Sequence, residues 1–223
     1  MPYRKRIVCL ANSDKPGGYC VAGREYEGRG FGGWVRPVSD RSGEEISFME
    51  QKLADGSTPK LLDIIEIPLE EPRPRACQTE NHLIARGQRW EKVGEFPRHE
   101  LLPLCDDIGQ LWINGQHSSR GTNDRISDAE ASTLDTSLVL IQPEVLSVSV
   151  IPNPWEGKRQ ARAAFRYRGK GYDLVLTDPS LRRHFLSLGE GEHRYTHPAV
   201  LCVSLAGPLE GCWYKLVAAI IDL

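Results

Sequence analysis

The residue types in this chain best suited to chemistry are aromatic rings beside guanidiniums. Trp34 and Arg36 stand two apart in the run Trp34-Val-Arg-Pro-Val38, so on a strand both side chains project to one face of the sheet. An indole offers a stacking surface to a base, and a guanidinium can stack or pair with phosphate oxygens. The competing structural reading puts Trp34 in a barrel core and Arg36 in an internal salt bridge.

A second concentration lies at 158–170, where Lys158, Arg159, Arg162, Arg166, Arg168 and Lys170 fall within one hairpin pattern. Arg162, Arg166 and Arg168 share a face by parity, which makes a local basic stripe able to follow a phosphate backbone. The structural alternative is a solvated outer face balanced by Glu156 and Asp173. A third is the polar stretch Ser118-Ser-Arg-Gly-Thr-Asn-Asp-Arg125. Here Arg120 and Arg125 can pair with phosphate oxygens and Asn123 can read a base edge, around a glycine that permits close backbone approach. Equally, Asp124 can pair with an internal arginine and Asn123 can cap a turn.

Other constellations carry less. His193 and His197 have the spacing of a helical zinc pair, but Pro198 and the flanking glycines oppose a helix and no HExxH is present. The pairs Glu70-Glu71 and Asp106-Asp107 are as well explained by surface solvation as by a divalent cation. Six cysteines, none in a CxxC pair, suit neither a disulfide scaffold nor a zinc site. There is no Walker loop, no GxSxG and no HxE with PCxxC. The expectation is therefore a non-catalytic protein without cofactor or metal, with a metal-dependent nuclease as a minor alternative. A formal net charge of −2 excludes a uniformly basic, histone-like surface and leaves local stripes possible. No signal-peptide pattern or membrane-length apolar run is visible, so a cytoplasmic location is expected.

The elements that must position these residues read as β. Residues 6–12, 19–26 and 34–38 form three early strands separated by turn chemistry at 14–18 and 28–33. Ile46, Met49 and Leu53 fit one helical face, ended by Gly56 and Pro59. Strands follow at 61–69 and 78–84, and a short helix at 98–104. From residue 137 the β pattern resumes with a long or bent strand to 152, then a hairpin over 162–168 and 172–177. Asp178-Pro179 starts a helix with Leu181, Phe185 and Leu188 on one face. Strands at 199–205 and 213–223 close the chain. The order βββαββ thus occurs twice, which predicts a mostly β protein of two tandem OB-like five-stranded barrels, each with a helix between strands three and four. The expected division is 1–84, a connecting segment over 85–136, and 137–223; one larger β-sandwich is the alternative.

The blocks Arg6-Ile-Val-Cys-Leu-Ala-Asn-Ser13, Gly33-Trp-Val-Arg-Pro-Val-Ser39, Pro59-Lys-Leu-Leu-Asp63, Gln78-Thr-Glu-Asn81, Gly121-Thr-Asn-Asp-Arg125, Thr177-Asp-Pro179, Leu201-Cys-Val-Ser-Leu205 and Tyr214-Lys-Leu-Val-Ala218, in that order, resemble the dual-OB-containing domain family over essentially the whole chain. The resemblance implies two fused OB barrels and a nucleic-acid-binding or sensing role in prokaryotic conflict and phage-defence settings; a repair context is a further expectation. It brings no catalytic residues with it. The expected partner is DNA or RNA, single-stranded or otherwise exposed, held by the hairpin and barrel-face aromatics. The rival expectation is a protein-docking regulatory subunit of a defence complex.

Overall fold

The computed structural model describes residues 2–28, 30–153 and 157–223. It forms two compact units, Met1–Leu104 and Cys105–Leu223. The segment 85–136, expected as a connector, is divided between them.

The first unit contains β1 (Tyr3–Lys15), β2 (Gly18–Tyr26), β3 (Phe31–Val38), β4 (Asp63–Pro72), β5 (Asn81–Ile84) and β6 (Glu91–Glu95). Pairing runs β1-β2-β3-β5-β4, and β4 returns to β1 from Tyr3↔Leu69 to Val8↔Ile64, which closes five strands into a barrel. The β3–β5 pair is parallel and the other pairs are antiparallel. Full closure removes the free edges that an open sheet would leave for aggregation. Ile7, Cys9, Val21, Val35, Ile65 and Ile67 fill the interior.

The helix expected over 46–53 is not formed. Ile46 exchanges both backbone hydrogen bonds with Tyr19, at 2.8 and 2.9 Å, and Leu53 bridges to Trp90. With both ends committed to β-bridges, a single turn remains, held by Gln51 N–H on Ser47 O at 3.2 Å. Ile46 and Leu53 are fully buried, whereas Met49 is 65% exposed, so the apolar spacing never becomes a helix face. The segment 98–104 is two 3-10 turns rather than one helix.

The second unit contains β7 (Arg125–Ser127), α1 (Asp128–Ala131), β8 (Leu138–Ile141), β9 (Val145–Asn153), β10 (Lys158–Tyr167), β11 (Lys170–Leu176), α2 (Pro179–Leu188), β12 (Gly191–Arg194), β13 (Ala199–Leu209) and β14 (Cys212–Asp222). The path β9-β10-β11-β14-β13, with β11–β14 parallel, repeats the order of the first unit. Asp178 accepts from the amides of Ser180 and Leu181 at 3.0 and 2.9 Å, and Pro179 occupies the first turn, so α2 starts where its backbone donors are satisfied. Phe185 is buried and Leu181 packs on the core, but Leu188 is 52% exposed at the last turn.

The long strand expected over 137–152 is bent into β8 and β9, and it is opposed by a second broken strand, β12 and β13. Ile141↔Leu201 ends one ladder and Ser147↔Arg194 begins the other. The register changes by one residue across the gap, as a bulge requires.

Candidate nucleic-acid interface

In the first unit the β2–β3 register sets Arg24 opposite Trp34. Neighbouring positions across a ladder share a face, and the Arg24 guanidinium lies 4.9 Å from the centroid of the Trp34 ring. Val35, one residue on, points into the core, which places Trp34 on the outside of the barrel. Trp34 is half-buried, and its indole Nε1 is buried without a hydrogen-bond partner.

Arg36 has the same parity as Trp34 but a different fate. Its Nη2 lies 3.2 Å from Glu80 Oε1, both side chains being buried, and its Nη1 donates to Asn81 Oδ1 at 3.5 Å. The connection between β4 and β5 delivers Glu80, whose carbonyl also accepts the Arg36 N–H at 2.8 Å. Arg36 therefore sits beneath this connection rather than on the open surface.

In the second unit the polar loop and the basic hairpin are packed on each other. Thr122 bridges to Asp173, and Asn123 Nδ2 donates to Gly171 O at 2.9 Å. Asn123 Oδ1 accepts from Gly115 N at 2.8 Å, so this amide braces the loop. Asp124 accepts from Ser118 N at 2.7 Å and from the Ser118 hydroxyl. A Cβ on Gly121 would stand 1.7 Å from Asp124 Oδ2, which is why the loop needs glycine there. Arg120 donates to the carbonyl of Pro152. Arg125 pairs through its backbone with Tyr214, and its Nε is buried without a partner.

On the hairpin, Arg162 is 3% exposed; its Nε lies 2.9 Å from Asp173 Oδ1 and its Nη2 donates to Asp173 O at 2.7 Å. Burial raises the Asp173 carboxyl above its ordinary range, and the Arg162 charge opposes that shift. Arg166 and Arg168 share the outer face and are exposed, but Arg166 pairs with Glu144 at 2.6 Å and Arg168 with Asp107. Glu144 is held below the usual carboxylate range by the Gly169 amide and then by Arg166. Arg168 and Gly169 form the two-residue turn with φ of 51° and 72°, the left-handed pair that a tight hairpin demands. Asp173 pairs with the buried Arg162, and the exposed arginines take Glu144 and Asp107 instead; Glu156 lies outside the described residues.

Sequence reasoning missed two residues. Arg24 gives no signal until the register sets it against Trp34. Lys215 is the one charged residue in the apolar strand 213–221; it is 1% exposed, and its Nζ donates to Ile113 O at 2.7 Å and Asn114 Oδ1 at 3.1 Å. Removal from water lowers its pKa to about 8, against the opposing pull of Asp124 and Glu130.

His193 lies on β12 with its Nε2 3.1 Å from Gly189 O, and His197 lies beyond the strand. The described residues contain no group of three or more His, Cys, Asp or Glu placed to hold a metal ion. Among the described residues no helix is long and apolar enough to cross a membrane.

No curated protein and no solved structure matches the chain. The closed barrel with parallel β3–β5 and the repetition of its strand order in the second unit are features of OB folds. In agreement with them, the family model described as the dual OB-containing domain matches residues 5–220, and the chain belongs to that family.

Proposed function

We propose that this dual OB protein is a non-catalytic nucleic-acid-binding module that takes a single strand across the outer β2–β3 face of its first barrel. The observation that carries the reading is Arg24 held 4.9 Å over Trp34 on that face. OB barrels commonly receive single strands across strands two and three, where aromatic rings stack bases and cations follow phosphates. A guanidinium resting on an indole offers a planar surface and hydrogen-bond donors together. The remaining sequence candidates contribute unequally. Arg166 and Arg168 are exposed and able to exchange a carboxylate for a phosphate, whereas Arg36 and Arg162 serve the fold while their ion pairs last. The cellular setting we infer, conflict and phage defence, rests on the family resemblance alone.

A protein-docking role is the second reading, favoured by one observation. Phe48 and Met49 stand side by side at 52% and 65% exposure on the turn over 46–53, where paired apolar side chains suit a protein partner better than a phosphate backbone.

Fluorescence anisotropy with short single- and double-stranded DNA and RNA, at low and moderate salt, separates the two. Salt-sensitive binding of a single-stranded probe, weakened by Arg24→Gln and by Trp34→Ala, supports the nucleic-acid reading. Absence of binding to all four probes rejects it in favour of docking.

A further inference from the structure

The interrupted ladder of the second unit opens a cleft. Between Ile141↔Leu201 and Ser147↔Arg194, residues 142–146 and 195–200 form no ladder pairs with each other. A single backbone bond, Tyr195 N–H to Leu146 O at 3.1 Å, spans part of this gap. Pro143 and Pro198 lie on its two sides and bring no N–H with which to continue the pairing. The result is a cleft of about 390 Å³, within the size range of small-molecule sites.

Its lining combines a cation, rings and small polar groups. Arg194 is exposed at the end of β12, and among the described residues its guanidinium has no carboxylate partner. This sets it apart from Arg162, Arg166 and Arg168, each neutralised by a neighbouring acid. Tyr195 is fixed as a wall: its hydroxyl donates to Asp222 Oδ1 at 2.6 Å, and its ring packs 6.3 Å from Phe185. His197 is exposed with its ring 6.3 Å from that of Tyr195. Gln142 and Thr196, also exposed, add an amide and a hydroxyl. Glu144, the acid in the lining, already serves Arg166 and the Gly169 amide.

We propose that this cleft binds one nucleotide unit, with its phosphate on Arg194, its base against the His197 and Tyr195 rings, and its edges read by Gln142 and Thr196. A guanidinium supplies forked donors for phosphate oxygens, and a ring beside it supplies the stacking face. The site lies at the broken strand-one to strand-four ladder, away from strands two and three, and does not depend on the Trp34 reading. A free mononucleotide and the 5′-phosphorylated end of a strand present the same chemistry.

Isothermal titration of the whole chain at low salt with the four ribonucleoside 5′-monophosphates, the matching nucleosides and inorganic phosphate tests the site. The expected result is binding of at least one monophosphate, at least tenfold tighter than its nucleoside or phosphate alone. Arg194→Gln should reduce that binding at least tenfold; it is an exposed change on a short edge strand, and circular dichroism checks that the fold persists. Arg86→Gln, an exposed change in the first unit outside both proposed sites, controls for general loss of charge and should leave it unchanged. A 5′-phosphorylated dinucleotide in place of the monophosphate identifies the source: tighter binding points to strand ends and weaker binding to free nucleotides. Absence of binding by all four monophosphates, or affinity indifferent to Arg194→Gln, overturns the proposal.

Discussion

Arg162 Nη2 lies 3.6 Å from Asp124 Oδ2, with the two side chains 3% and 5% exposed. The basic hairpin and the polar loop, distinct binding candidates in the sequence, are thereby one packed unit whose charges face each other. An arginine so placed holds the loop over β10 and β11 and is withdrawn from any ligand that does not first displace the loop.

Replacing it therefore affects folding before binding. Arg162→Met leaves Asp124 buried beside Asp173 without their shared cation, and removing one partner of a buried pair costs about 3–5 kcal/mol. Urea denaturation should show a loss of that order. Arg166→Met, which breaks an exposed pair with Glu144, should leave stability nearly unchanged, because water and salt screen an exposed pair. Equal effects of the two substitutions would contradict the burial of Arg162.

On the first barrel, loss of a stacking ring typically costs about 1–3 kcal/mol per base. Trp34→Ala should thus weaken single-strand affinity by about fivefold or more. Arg24→Gln should lower affinity and also flatten its salt dependence, by about 0.7 in the log–log slope for each phosphate of the single strand that the protein ceases to neutralise. Anisotropy titrations across a salt series measure both quantities. A salt slope untouched by Arg24→Gln removes that guanidinium from the interface.

Much of the fold was legible because its signals are local. Apolar, β-favouring runs bounded by turn residues mark β1 to β3, and Asp178-Pro179 marks the start of α2 with both cap bonds made. The misread segment 46–53 fails for a non-local reason: Tyr19 and Trp90 claim its two ends, and no pattern within the segment reports those partners. β6 and β12 are short and largely polar, Glu-Lys-Val-Gly-Glu and Gly-Glu-His-Arg, and become strands because β4 and β9 offer them an edge. The site follows the same division. Parity placed Trp34 and Arg36 on one face, but only the ladder register reveals Arg24, and only the fold brings Glu80 onto Arg36. Lys215 was open to detection by parity with Trp213 and Val217, both buried.

The cysteines divide by burial. Cys9 is fully buried, and burial, reinforced by the Asp63 carboxylate, pushes its thiol up to about 12. Cys77 and Cys202 are also buried, while Cys20, Cys105 and Cys212 are partly exposed. Because the thiolate is the reactive form, maleimide labelling of the native protein at pH 8 should be confined to the latter group. Cys105 should lag, its thiol raised to about 11 by burial and by Asp106. Mass spectrometry after labelling with and without urea reads the difference. Rapid native labelling of Cys9 would mean that the first barrel opens between β1 and its neighbours.

Lys215 gives the second unit a distinctive pH response. Its pKa is lowered to about 8 in the folded protein, against about 10.4 for an unperturbed lysine. Below pH 8 both states are protonated, and folding carries the full cost of burying the ammonium. Between about 8 and 10.4 the folded state has released the proton while the unfolded chain retains it, so this group makes the protein more stable as pH rises. Over that window its contribution amounts to about 3 kcal/mol. Other groups titrate there too, with Cys9 acting in the opposite sense, since its thiol ionises more readily when unfolded. The informative quantity is therefore the difference between the wild-type chain and Lys215→Met, from urea melts at pH 7, 8, 9 and 10. The wild type should gain stability relative to the variant with each step above pH 8; a difference independent of pH would place an ordinary ammonium at that position.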